Sequence, residues 1–69
     1  MREYIINIEF ENWSNQLWFM NEDTPEINEK WNNAIEKIDS LKESSNNALS
    51  FQQNVIEYLQ SLGFIRIQK

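Results

Sequence analysis

Residues 3–11 read Glu-Tyr-Ile-Ile-Asn-Ile-Glu-Phe-Glu, and the apolar side chains of Tyr4, Ile6, Ile8 and Phe10 recur with a period of two. That alternation predicts a strand with one buried face. Asn12, Trp13, Ser14 and Asn15 follow as a run dominated by turn formers, and Gln16-Leu17-Trp18-Phe19-Met20 predicts a second short strand. A four-residue loop sets Phe10 opposite Leu17 and Ile8 opposite Phe19 on one face, with Glu9 opposite Trp18 and Asn7 opposite Met20 on the other. Slipping that pairing by one residue would put Leu17 and Phe19 against Glu11 and Glu9, so the phase of the hairpin is well specified.

The period then changes. Thr24 precedes Pro25 and a run containing Glu26 and Glu29, which predicts a helix with Thr24 as N-cap, Pro25 in the first turn and acids at the positive end of the dipole. Ile27, Trp31, Ala34, Ile35, Ile38 and Leu41 continue at spacings of three and four, so the helix is expected over residues 25–43. Residues 42–47 lose that period and collect poor helix formers, as a connector does. Ser50-Phe51-Gln52-Gln53 matches a capping box, and Phe51, Val55, Ile56, Leu59 and Leu62 supply the stripe of a second helix over 50–62. Gly63, the only glycine, stands where a left-handed cap would end it, and residues 64–67 predict a third strand. The expected fold is α+β, ordered ββααβ, with residues 1–69 forming one domain.

The same residues admit a rival. Ile27, Ala34, Leu41, Ala48, Val55 and Leu62 lie seven apart, the spacing of one long helix paired in a dimer. The companion positions Trp31, Ile38, Ser45, Gln52 and Leu59 turn polar in the middle, at the connector. A continuous helix would also run roughly 55 Å, too long for a monomer of this size.

Composition narrows the function more than the fold. The 69 residues contain neither cysteine nor histidine, so thiolate and imidazole ligands are absent and any metal would need oxygen donors alone. Lacking disulfides or a metal, so short a chain depends on aromatic packing, for which it has three Trp, four Phe and two Tyr, and on self-association. A homo-oligomer is therefore expected. The lack of cysteine points away from secreted scaffolds, and no signal peptide or membrane span is read from the sequence, so the cytoplasm of its own or a host cell is the expected compartment. A net charge of −5 opposes direct nucleic-acid binding and attraction to anionic membranes.

Catalytic chemistry finds no foothold. Without His or Cys there is no ordinary nucleophile–base pair, and one glycine cannot build a phosphate loop. No catalytic, cofactor-binding or metal-binding residue is assigned, and no enzyme activity is expected. Two features point to binding instead. Glu22, Asp23, Glu26 and Glu29 form an acidic cluster that either steers the chain to a basic surface or answers a helix dipole. Ile5, Trp18 and Met20, joined by Phe64, are expected on the outer face of the hairpin, as an interface or as core beneath wrapping helices. Trp13, in the predicted turn, either anchors a partner or folds back over the core edge.

These features predict a small acidic protein-binding module, an inhibitor or adaptor that occludes a partner bearing a basic patch. A nucleic-acid mimic and an assembly subunit are the alternatives. The heavy use of Asn, Ile, Lys and Glu also suits an AT-rich genome, as in small inhibitors from phages and mobile elements.

Overall fold

A computed structural model describes residues 1–68. The chain runs β1 (Arg2–Phe10), β2 (Trp13–Asn21), α1 (Pro25–Glu36), α2 (Ile38–Glu43), α3 (Ala48–Ser61) and β3 (Ile65–Ile67). The strands form one antiparallel sheet with β2 in the middle. The α+β class and the hairpin, helices and final strand are those expected.

The hairpin is longer and tighter than its sequence suggests. Only Glu11 and Asn12 make the turn, and Trp13 to Asn15, expected in the loop, already belong to β2. Pairing sets Tyr4 opposite Phe19, Ile6 opposite Leu17 and Phe10 opposite Trp13, so the expected partners Phe10–Leu17 and Ile8–Phe19 are displaced by four residues. An even displacement leaves every side chain on its expected face. What favours the observed register is length, because it pairs all nine residues of each strand. The cost falls on Glu11, which takes a positive φ of 55° that glycine would occupy without strain.

Thr24 caps α1 as expected, its Oγ1 accepting the Ile27 N–H at 3.1 Å, with Pro25 in the first turn. The helix expected over 25–43 is interrupted at Lys37, whose N–H bonds back to Ala34 O at 3.0 Å, and α2 restarts one residue later. The single long helix is excluded by residues 44–47. There the Ser45 hydroxyl donates to Leu41 O at 2.7 Å and accepts from Asn54 Nδ2 at 2.9 Å, satisfying an end carbonyl of α2 and turning the chain toward α3. The cap of α3 is Asn47 rather than Ser50. Asn47 Oδ1 accepts the Ser50 N–H at 2.9 Å, so α3 begins two residues before its expected start.

Gly63 ends α3 with φ 98°. The Phe64 N–H reaches Leu59 O at 3.1 Å and the Gly63 N–H reaches Gln60 O at 3.0 Å, the paired bonds of a Schellman cap. The accompanying apolar contact fixes the phase of β3. Phe64 and Leu59 are both buried, so Phe64 enters the core rather than joining the outer face, and Ile65 and Ile67 turn outward in its place.

The core lies between the sheet and the helices. Tyr4, Ile6, Ile8, Leu17 and Phe19 project from the strands to meet Trp31, Ala34, Ile38, Phe51, Val55, Ile56 and Leu59. Four rings meet at one end: the Trp31 centroid lies 5.2 Å from Tyr4, 5.1 Å from Phe64 and 6.0 Å from Phe19.

The two backbone exceptions predict opposite effects in urea denaturation. Glu11→Gly relieves a left-handed glutamate and raises stability by about 0.5–1 kcal/mol. Gly63→Ala lowers it by about 1–2 kcal/mol through backbone strain alone, since a Cβ there would meet only Asn21 Nδ2 at an ordinary 3.8 Å.

Candidate interaction surface

The alternation that buries one face of the sheet leaves the other without a layer. In β1 the odd positions Glu3, Ile5, Asn7 and Glu9 stand on this outer face, and in β2 the even positions Ser14, Gln16, Trp18 and Met20 do. Cross-strand register assembles them into rows. Ile5, Trp18 and Ile67 form one, and Glu3, Met20 and Ile65 form the next. Farther toward the turn the rows become polar, with Gln16 Nε2 donating to Asn7 Oδ1 at 3.0 Å. One half of the face is thus apolar and the other amide-lined. All three helices pack on the opposite face, and among the described residues no element lies over this one. Ile5 keeps 44% of its surface exposed and Ile65 keeps 60%.

Of the residues singled out in the sequence, Ile5, Trp18 and Met20 are therefore brought together, and Trp18 and Met20 are half-buried by their strand neighbours. Trp13 is not among them. It opens β2 on the helix side of the sheet, half-buried against the core as the folded-back alternative requires, and lines a shallow cavity of about 370 Å³ with Phe10, Asn12 and Asn46. Ile65 and Ile67 were missed, although their signal was present. Once Gly63 is recognised as the residue after the helix end, Phe64 is committed inward and its neighbour Ile65 outward.

The acidic cluster divides. Glu22 and Asp23 lie in the loop between β2 and α1, at the end of the sheet where Met20 and Ile65 sit. Asp23 Oδ1 accepts from Asn28 Nδ2 at 3.0 Å and lies 3.8 Å from Arg2 Nη1. Arg2 also donates to Asn28 Oδ1 at 2.9 Å, and its guanidinium carbon lies 4.9 Å from the Tyr4 ring centroid. The Tyr4 hydroxyl stands 2.6 Å from Asn28 Oδ1 and 2.9 Å from Glu22 O, either of which accepts its proton. This loop is consequently held in place. Glu26 and Glu29 are carried instead along α1, where they line a groove of about 330 Å³ with Lys30, Lys37 and Tyr58. Only Glu26 lies in the first turn of α1, so the helix dipole accounts for one of the four acids rather than for the set.

Among the described residues no group of three or more His, Cys, Asp or Glu is placed to hold a metal ion. No helix there is long and apolar enough to cross a membrane. Comparison with protein-family models, with curated proteins and with solved structures finds no match.

The ties around Tyr4 can be measured separately from its packing. Tyr4→Phe retains the ring and removes the hydroxyl, which should cost about 0.5–1.5 kcal/mol in urea denaturation. Amide exchange should quicken more in residues 22–24 than in the core, whose amides speed up only by the loss of global stability, because the loop loses one of its ties to β1.

Proposed function

We propose that this chain is a small protein-binding module that acts as an inhibitor or adaptor by covering a surface of another protein, without catalysing a reaction. The observation that carries the reading is the outer face of the sheet. Isolated apolar side chains on a surface need no explanation, but two cross-strand rows containing Ile5, Trp18, Ile67, Met20 and Ile65 form a contiguous patch beside polar Asn7 and Gln16. Trp, Met and Ile on one half of the face with amides on the adjoining half is a composition that suits an apolar contact with a polar border. Glu22 and Asp23 at the end of the patch favour a partner that carries basic residues beyond an apolar contact.

The carboxylates support mimicry of a nucleic acid less well, since they are divided among the sheet, the hairpin turn, the loop before α1 and the helices rather than set in rows. The cytoplasm, of its own or a host cell, is the compartment we propose, because a chain of this size without cysteine makes no use of an oxidising one.

Trp18→Glu tests the patch. The variant should keep its circular-dichroism spectrum and unfold within a few degrees of the parent, while losing retention of the protein that the parent captures from its source cell. Collapse of the fold would assign Trp18 to structural support and remove the reading. The same variant, examined by sedimentation beside the parent, shows whether a second copy uses the face.

Charge reversal tests steering. Replacing Glu22 and Asp23 together by Lys should slow association with that partner about tenfold at low salt, leave dissociation nearly unchanged, and lose its effect as salt shortens the Debye length. An unchanged association rate would leave the two acids only the local contacts described above.

A further inference from the structure

The sheet offers a second surface, independent of its outer face and made of backbone. Among the described residues β1 lies at the edge of the sheet, paired only with β2. Phe10 and Trp13 flank a two-residue turn, so they exchange both of their backbone hydrogen bonds, and alternation then directs the groups of Ile8, Ile6 and Tyr4 toward β2 as well. The N–H and C=O of Ile5, Asn7 and Glu9 consequently point to the open edge. All three residues are exposed. No proline or bulge interrupts this stretch, two of the devices that usually make an edge unable to receive another strand.

The space beside that edge is shaped. A groove of about 200 Å³ runs between Asn7, Ile8 and Glu9 of β1 and Ile38, Asp39 and Lys42 of α2. An edge strand flanked by a helix in this way provides a backbone ladder on one side and side-chain contacts on the other, the two requirements for receiving an extended peptide.

We propose that the β1 edge from Ile5 to Glu9 receives a fourth, antiparallel strand from another protein. Its alternate residues are apolar toward α2 and basic toward Glu9 on the outer face. Charge selects this occupant over a second copy of the chain. Glu9 and Asp39 border the groove against the single base Lys42, and a second copy would add another −5 to the −5 already present. A basic strand neutralises that border, and its ladder supplies affinity without requiring one particular sequence.

The probe is the acetylated, amidated peptide Lys-Val-Thr-Val-Val-Val-Lys, which in antiparallel register sets one Lys opposite Glu9, Thr opposite Asn7 and Val opposite Ile5. Two controls carry Glu for both Lys, or an N-methyl group on the Thr. Amide exchange of the full chain is followed by NMR. With the Lys peptide at about 1 mM, the amides of Ile5, Asn7 and Glu9 should exchange at least about tenfold more slowly, with little slowing by either control.

Asn7→Pro removes an edge-directed N–H without touching the ladder to β2, and should abolish the response while leaving the hairpin folded. If that variant unfolds, the N-methylated peptide decides alone. Absence of slowing overturns the proposal, as does equal slowing by the Glu peptide. Protection of the same amides without peptide, in a dimer seen by sedimentation, overturns it in favour of a second copy.

Discussion

The indole of Trp31 is the contact on which the remaining layers depend. It projects from α1 onto the sheet and meets a ring from β1, a ring from β2 and the ring of Phe64, the residue that leads into β3. Tyr4 and Phe64 also touch each other directly, edge to face at 5.2 Å. One side chain thus joins the hairpin, the first helix and the C-terminal segment, which are far apart in sequence. Truncating a buried aromatic costs about 3–5 kcal/mol, while a domain of this length holds in total only about 3–10 kcal/mol. The absence of disulfides leaves no covalent substitute for this junction.

Given that junction, the hairpin has little choice of register. Tyr4 must oppose Phe19 for both rings to reach Trp31, and that pairing forces the turn down to Glu11 and Asn12. A roomier turn would relax Glu11 but withdraw Tyr4 from the cluster. Local strain at the turn is thus the counterpart of aromatic packing at the far end of the same two strands. Because the helices are all spent on covering one face of a narrow sheet, its other face stays uncovered.

Period was the most legible property of the sequence, and it is why the class, the order of elements and the inward and outward sets of the hairpin could be read directly. Thr24, Pro25 and Gly63 marked their boundaries because each acts through its own backbone or side chain within a few residues. What escaped was decided at a distance. The turn was misplaced because Asn12 to Asn15 have local turn chemistry, whereas the number of cross-strand pairs is settled only when Tyr4 finds Phe19. Asn47 and Ser50 are equally good caps in isolation, and the choice between them rests on where Ser45 is held by Asn54. The interruption at Lys37 has no sequence signal that we can name. Of the interaction surface, Ile5, Trp18 and Met20 were visible from alternation, but Ile65 and Ile67 required the consequence of Gly63 to be followed one residue further.

The tie between Ser45 and Asn54 also bears on what this chain becomes if the connector is altered. The heptad positions Leu41 and Ala48 on either side of it remain in phase, so the local break between α2 and α3 lies in the polar segment 44–47. Straightening it would carry α3 and β3 away from their own hairpin together. A second molecule with the same defect could then accept them, its β2 receiving the exchanged β3 and its Trp31 the exchanged Phe64. The contacts of α3 and β3 with the hairpin would be re-formed between chains instead of within one. The polar connector thus supports the closed arrangement of one chain, and a hydrophobic replacement there would act first on how α2 and α3 join.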